Sequence, residues 1–214
     1  TQIVSHNLRA PVASILGLTQ IIAHPGLDNI SKVKVIENLK LTAQNLDGIL
    51  KDLNEILAKR GNIGLLKENL SFEHELNRVL QTIEQQARQS EASITYNFKD
   101  APTVYSVKGY LQSILFNLIL NAIKYRSPDR DPVIEIFTRQ EGVYTVLYVK
   151  DNGIGIDLQK NKNAIFGLYK RFHTQIEGKG IGLFLIKTQI EALGGKVEVE
   201  SKVDVGTTFK VYFK

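Results

Sequence analysis

The chain has 214 residues, 43% of them hydrophobic, and its 27 Lys and Arg against 22 Asp and Glu give a formal net charge of +5. It contains no cysteine, which excludes disulfide bonds and thiolate metal sites, and no apolar run reaches the ~18 residues expected of a membrane-spanning helix. The basic residues are scattered rather than clustered, which favours a polyanionic ligand or an acidic protein partner over a nucleic acid.

Two helices are predicted at the start of the chain. Apolar residues at helical spacing predict the first over residues 1–23, and His24-Pro25-Gly26 ends it. The second is expected to start near Asp28 to Ser31, and it carries a heptad seam of Ile36, Leu39, Ala43, Leu46, Leu50, Leu53 and Leu57. Flanking apolar residues widen this seam beyond what one partner helix needs, so we expect two such hairpins to form a four-helix bundle in a homodimer.

The run Gly61-Asn62-Ile63-Gly64 breaks the second helix and predicts a linker. We therefore expect a helical hairpin over residues 1–60, a linker over residues 61–70 and a second domain over residues 71–214.

The second domain alternates between helical and strand periodicity. Ser71 is a candidate N-cap for a helix that runs to about Ser90. The elements expected after it are strands near 94–98 and 104–107, a helix over 108–126, a hairpin of 133–139 with 143–150, a helix from 180 to 193, and a final hairpin. This order predicts an α+β fold in which helices pack against a mixed, mostly antiparallel sheet.

The helix over residues 108–126 is apolar almost all the way round, which predicts that it is buried. One polar stripe interrupts it, because Ser113, Asn117, Asn121 and Lys124 follow one another at spacings of four, four and three. These groups either hydrogen-bond a neighbouring loop or line a ligand cleft. In a cleft, two amides and a cation could hold a phosphate chain and its Mg²⁺, whose ligands are oxygens.

Two glycine-rich segments follow this helix. The first begins at Asp151, where a predicted strand ends, and reads Asp-Asn-Gly-Ile-Gly-Ile; the second is Gly178-Lys179-Gly180-Ile181-Gly182-Leu183. One such segment is a weak signal, but two of them after an asparagine-striped helix form a more specific set.

Together these motifs resemble those of the sensor histidine kinases. The asparagine helix is similar to their N box, the Asp151 segment to the G1 box, residues 165–172 to the F box and residues 178–183 to the G2 box. Residues 5–11, Ser-His-Asn-Leu-Arg-Ala-Pro, resemble the H box. The motifs stand in family order over residues 5–208. The resemblance implies an α/β-sandwich ATP-binding domain of the Bergerat type, shared with gyrase-like ATPases.

The resemblance also implies roles for individual residues. His6 would be the phosphoacceptor, Asp151 would accept a hydrogen bond from the adenine amine, and Asn117 and Asn121 would hold Mg²⁺ and phosphate oxygens. Lys124 would lie near the phosphates. The implied ATP-binding set is completed by Tyr125, Gly153, Gly155, Arg171, Gly178, Lys179, Gly180, Gly182, Leu183, Thr207 and Thr208.

Three candidate side chains, Tyr125, Arg171 and Arg9, have an alternative role. Tyr125 either flanks the adenine or packs in the core, and Arg171 reaches either the phosphates or the helical hairpin. Arg9, which lies three residues after His6, either steadies an incoming γ-phosphate or pairs with a carboxylate.

The H-box-like segment departs from the family pattern at two positions. Many members carry Glu or Asp directly after the histidine, whereas this chain has Asn7, which cannot act as a general base. Four residues past the histidine, where the family often has Thr or Asn, this chain has Ala10. We therefore expect slower autophosphorylation and weakened phosphatase activity.

The favoured hypothesis is an ATP-dependent protein histidine kinase that passes a phosphoryl group from His6 to an aspartate of a response regulator. The alternative is a dimeric ATP-binding signalling scaffold without kinase activity, which Asn7 favours. A clamp driven by ATP hydrolysis fits less well, because the hairpin carries His6. The resemblance implies a cytoplasmic location, with any membrane anchor in a part of the protein outside this sequence.

Overall fold

The computed structural model describes residues 2–22, 28, 31–40, 42–43, 66–161, 165–168 and 180–214, with the backbone alone for residues 2–11 and 160–161. The chain divides into two compact units, Thr1–Ile63 and Gly64–Lys214. No helix among these described residues combines the length and the apolarity needed to span a bilayer.

The first unit contains helix α1 (Gln2–Ile22) and helix α2 (residues 31–40), and residues 42 and 43 are also helical. Asp28 caps α2, because its carboxylate accepts hydrogen bonds from the Ser31 backbone N–H (2.9 Å) and from the Ser31 hydroxyl (2.6 Å). The predicted start of the second helix is therefore confirmed. The later seam residues Leu46, Leu50, Leu53 and Leu57 lie outside the described residues.

The second unit contains seven strands and five helices among its described residues. In chain order they are β1 (Glu68–Ser71), α3 (Phe72–Thr82), α4 (Glu84–Gln89), β2 (Ser93–Asn97), β3 (Thr103–Ser106), α5 (Lys108–Lys124), β4 (Val133–Glu141), β5 (Tyr144–Asp151), α6 (Leu158–Asn161), α7 (Gly182–Ala192), β6 (Lys196–Lys202) and β7 (Gly206–Phe213).

Five of these strands form one sheet in the order β2-β4-β5-β7-β6. The edge strand β2 pairs with β4 in parallel, and every other pair in this sheet is antiparallel, so the predicted mixed sheet is confirmed. The remaining strands β1 and β3 form a separate antiparallel pair. Residues 68–70, which fall within the predicted linker over residues 61–70, belong to β1.

The helix predicted from Ser71 to Ser90 is in fact two helices. Ser71 caps α3 as predicted, since its hydroxyl accepts from the His74 N–H at 3.3 Å. The break falls at Ile83, which is fully buried and has a non-helical backbone (φ −106°, ψ 15°). The apolar stripe that packs α3 against the core ends at Ile83, and α4 has no buried residue.

Helix α5 lies at the centre of the hydrophobic core, where it contacts α3, α7 and β5. Five of its aliphatic side chains are at most 1% exposed: Leu111, Ile114, Leu115, Leu118 and Ile119. Burial of one such side chain stabilises the fold by about 1.5–3 kcal/mol, so this helix is the main apolar contributor to the unit. The sheet supplies the opposite wall of the core through residues such as Phe209, Val211 and Phe213 of β7.

Candidate nucleotide-binding site

Asp151 ends β5 directly opposite Thr207 of β7. Residues that face each other across an antiparallel pair share one side of the sheet, so both side chains lie on the side of the core helices. The Asp151 Oδ1 atom accepts hydrogen bonds from the backbone N–H groups of Gly153 (2.8 Å) and Thr207 (3.2 Å). None of the described residues donates a hydrogen bond to Oδ2, so this oxygen is available to a ligand.

Burial raises the pKa of the Asp151 carboxyl above its ordinary value of 3.8. The N–H groups of Gly153 and Thr207 and the charge of Arg130 act in the opposite direction, but they do not outweigh the loss of water. An ionised carboxylate in this position is poorly solvated. It therefore gains from a hydrogen-bond donor on a ligand more than an exposed carboxylate does.

The loop after β5 is held between α5 and the β6–β7 hairpin. The Ile154 N–H donates to the Tyr125 carbonyl (3.0 Å), and the Asp204 N–H donates to the Ile154 carbonyl (2.9 Å). A Cβ atom on Gly153 would lie 2.4 Å from the Tyr125 oxygen, and one on Gly155 would lie 2.1 Å from the Lys202 oxygen. Gly155 also has φ +69°, so both glycines are required by close backbone approach.

The polar stripe predicted on α5 is half-buried along its length, from Ser113 through Asn117 and Asn121 to Lys124. Asn117 donates from Nδ2 to the Ser113 carbonyl at 2.8 Å, one turn earlier on the same helix. Its other amide atom, Oδ1, lies 2.7 Å from the position of a Cβ on Gly182. The amide oxygen therefore faces the start of α7.

Helix α7 begins at Gly182, and no side chain caps its N-terminus. Its first backbone N–H groups are thus without an intrahelical acceptor, and they lie beside the Asn117 oxygen. An N-terminus of this kind favours an anion. Gly180, two residues before the first residue of α7, has φ +68°.

Lys124 and Tyr125 lie together at the C-terminal end of α5. The Lys124 Nζ atom is 5.0 Å from the centre of the Tyr125 ring, and both residues are half-buried. The cation is therefore held near the end of the asparagine stripe rather than directed away from it.

The two predicted threonines separate across β7. Thr207 is buried beside Asp151, and its hydroxyl lies 2.9 Å from that of Ser201. Thr208 points to the opposite side of the sheet, because alternate residues of a strand face opposite ways. The structure thus brings Thr207, and not Thr208, to the side of the Asp151 carboxylate. Leu183 packs against the core.

The structure gives no side-chain position for several predicted site residues. Arg171, Gly178 and Lys179 lie outside the described residues, whereas Ile165 of the F-box-like segment is buried and Phe166 packs against the core. His6, Asn7 and Arg9 lie in α1, for which the structure gives the backbone alone at these positions.

Arg130 is a site residue that the sequence did not reveal. It donates from Nε to the Asn152 carbonyl (2.6 Å) and from Nη2 to the Gly153 carbonyl (2.8 Å), and it thereby fixes the loop that carries the two glycines. Arg130 stands in a loop without periodicity or motif, so no pattern in the sequence predicts this contact.

The family model of the histidine kinase-, DNA gyrase B-, and HSP90-like ATPases matches residues 107–214. The methanogenesis regulatory histidine kinase FilI of Methanothrix harundinacea is 31% identical over 207 residues, which are 95% of this chain and 23% of FilI. The chain spans between 23% and 41% of the length of the first three curated relatives it matches.

Two of the solved structures that share the fold over 98% of this chain are complexes. Full-length ShkA in complex with AMPPNP has a TM-score of 0.65 at 21% identity, and 44% of ShkA is covered. Histidine kinase ThkA in complex with the response regulator protein TrrA has a TM-score of 0.59 at 19% identity, and 59% of that chain is covered.

Proposed function

The chain belongs to the family of histidine kinase-, DNA gyrase B-, and HSP90-like ATPases, and we propose that it is an ATP-dependent protein histidine kinase. In the proposed reaction, the bond between the γ-phosphorus and the oxygen bridging to the β-phosphate breaks, and a phosphorus–nitrogen bond forms on the His6 imidazole. ADP leaves and the imidazole loses its N–H proton. An aspartate carboxylate of a response regulator then takes the phosphoryl group as an acyl phosphate.

The observation that carries this proposal is the Asp151 carboxylate. Two backbone N–H groups hold its Oδ1 atom, and Oδ2 is left as an acceptor for the exocyclic amine of adenine. The close approach of Gly153 to the Tyr125 carbonyl and of Gly155 to the Lys202 carbonyl fixes the loop that follows this carboxylate.

The phosphates of Mg²⁺·ATP are proposed to lie between α5 and the start of α7. The Asn117 amide oxygen is a ligand type that suits Mg²⁺, and Asn121 lies one turn further along the same stripe. The uncapped N–H groups of α7 and the Lys124 ammonium supply positive charge for the phosphate oxygens. Catalysis would consist mainly of positioning and charge neutralisation.

The proposed partners are a second copy of the chain and a response-regulator receiver domain. Exposed apolar side chains on α1 and α2 support the homodimer, among them Leu16 (59% exposed), Val33 (56%) and Ile36 (54%). The solved complex of ThkA with TrrA supports the second partner. We also propose a cytoplasmic location, since the reaction consumes ATP.

Incubation of the chain with Mg²⁺ and γ-labelled ATP tests the proposal. We expect a protein-bound label that is stable to base and labile to acid, as a phosphorus–nitrogen bond on histidine is. Label from α-labelled ATP serves as the control and should not be retained. Bound ATP without covalent label over several hours would contradict the kinase.

The second candidate is a dimeric ATP-binding scaffold, and Asn7 is the observation that favours it. The neutral amide beside His6 cannot take the imidazole proton, so water or another group has to accept it. The scaffold would retain Asp151 and ATP binding and would lack the acid-labile label.

Replacement of Asp151 by asparagine should reverse the preference of the site for adenine. The amide oxygen is expected to keep the Gly153 and Thr207 hydrogen bonds, which leaves Nδ2, a donor, facing the base. This donor opposes the adenine amine and suits the carbonyl oxygen of guanine. Because a hydrogen bond to a charged group contributes about 1.5–3 kcal/mol, ATP affinity should fall by about 10–100-fold while GTP affinity rises. Calorimetric titration with both nucleotides measures this.

Loss of folding would not explain this result. The pKa of Asp151 is raised in the folded state, so the stabilising contribution of this carboxyl is present below its ordinary pKa and is lost as the pH rises through the folded value. At neutral pH the ionised group therefore lowers stability, and asparagine carries no such charge. Equal weakening of both nucleotides, with unchanged thermal unfolding, would contradict the proposed role of Asp151.

A further inference from the structure

Gln189 is a polar residue in the apolar interface between α7 and α5. It is 2% exposed, and its neighbours Ile186 and Ile190 on the same helix are fully buried. Its Nε2 atom donates to the Ser113 hydroxyl at 3.1 Å, but its Oε1 atom has no hydrogen-bond partner among the described residues. A buried polar atom left without a partner destabilises the fold, so Gln189 is a poor choice for stability alone.

Ser113 connects Gln189 to the asparagine stripe. Its hydroxyl oxygen accepts from Gln189 and lies 3.5 Å from the Asn117 Nδ2 atom, and its carbonyl accepts from the same Nδ2 atom at 2.8 Å. Both oxygens of Ser113 are thus presented to the amide nitrogen of Asn117.

The orientation of the Asn117 amide follows from these contacts. If the amide were rotated by half a turn, its oxygen would face the Ser113 backbone carbonyl oxygen, which has no hydrogen to donate and would repel it. The observed orientation places Oδ1 toward Gly182, at the start of α7. Gln189 contributes because its donated hydrogen bond occupies a lone pair of the Ser113 hydroxyl and holds that oxygen between α5 and α7.

We propose that Gln189 is a positioning residue for the phosphate end of the site: through Ser113 it holds the Asn117 amide with its oxygen toward the metal and phosphates of Mg²⁺·ATP. This inference rests on the proposed function. Gln189 itself lies two turns into α7 and acts on the ligand only through Ser113 and Asn117. The hydrogen bond also connects the helix that offers N–H groups to phosphate with the helix that offers amide oxygens.

The test compares Gln189→Leu with Ser113→Ala and with the double variant in the full 214-residue chain. Leucine has nearly the same volume and no polar atom, so thermal unfolding of Gln189→Leu should occur at the same temperature as in the wild type or higher. ATP affinity is measured by calorimetry with Mg²⁺ and again with EDTA. We expect the gain in ATP affinity that Mg²⁺ provides to fall by about 10-fold, because loss of a group that orients a metal ligand weakens metal binding by about this factor. The ATP affinity measured in EDTA should stay unchanged.

Thr138→Val is the matched control. It removes another buried side-chain hydrogen bond, from the Thr138 hydroxyl to the Ala101 carbonyl (2.7 Å), in a residue that is 2% exposed and lies on β4 away from the asparagine stripe. This variant should lose stability and keep the full Mg²⁺-dependent gain in affinity.

The double variant tests the route through Ser113. If Gln189 acts through this residue, the double variant should lose no more of the Mg²⁺-dependent gain than Ser113→Ala alone. Additive losses, or equal losses with and without Mg²⁺, would overturn the inference, as would unchanged binding by Gln189→Leu. A wild-type chain that does not bind Mg²⁺·ATP would instead overturn the proposed function, and the inference with it.

Discussion

Replacing His6 by glutamine should abolish transfer of the γ-phosphoryl group to the protein. Glutamine keeps a polar side chain of similar length in α1, but an amide nitrogen is not a nucleophile at neutral pH, whereas a neutral imidazole is available because its reference pKa is about 6.5. ATP binding should be unchanged, because the groups proposed to bind it all belong to the second unit. Acid-labile label after incubation with Mg²⁺ and γ-labelled ATP measures the first effect, and calorimetry measures the second.

The matched control is His74→Gln in the second unit. His74 lies on α3 with a side chain that is 60% exposed, and its Nε2 atom accepts from the Arg78 Nε at 3.2 Å and lies 3.9 Å from the Glu75 Oε1 atom. None of these residues belongs to the proposed ATP site. This variant should retain the full label. Label that persists in His6→Gln would show that another residue is the phosphoacceptor.

Replacing Gly155 by alanine should destabilise the second unit by several kcal/mol and prevent ATP binding. Its φ of +69° alone costs an alanine about 1–2 kcal/mol. In addition, the new Cβ would lie 2.1 Å from the Lys202 carbonyl oxygen, so the loop or the β6–β7 hairpin has to move. Either movement disturbs the Asp151 carboxylate, since Thr207 at the start of β7 supplies one of its two donors.

Gly142→Ala separates the two contributions. Gly142 has φ +58° in the β4–β5 turn, but a Cβ there would have no neighbour within 4 Å. We expect this variant to lose only the ~1–2 kcal/mol of the backbone conformation and to bind ATP normally. Urea denaturation of both variants gives the comparison, and equal losses would contradict a steric role for Gly155.

The parts of the site that are local in sequence could be predicted from the sequence. The stripe on α5 follows from spacings of three and four, and Asp151 with Gly153 and Gly155 is one continuous segment at a strand end. The roles predicted for these residues rest on the order of the motifs along the chain. The family model that matches residues 107–214 covers the motifs from the asparagine helix onward.

The parts that depend on pairing between distant segments could not be predicted. The parallel pairing of β2 with β4 leaves no signal in either strand, since both parallel and antiparallel edge strands alternate. The placement of Thr207 directly opposite Asp151 depends on the register of β7 against β5. Gln189 stands where helical periodicity indicates core, so only the Ser113 contact reveals its polar role.

The position of β7 within the sheet has a consequence for the order in which the unit folds. β7 lies between β5 and β6, and the Thr207 N–H reaches Asp151 across 56 residues of sequence. Until that strand has docked, β5 lacks one of its two neighbours and the Asp151 carboxylate, proposed to bind adenine, lacks one of its two donors. A nascent chain that has emerged from the ribosome only as far as α7 therefore carries the α5 stripe and both glycine-rich segments without a competent pocket. The proposed binding of nucleotide would therefore require the complete sheet, and it would report that β7 has docked.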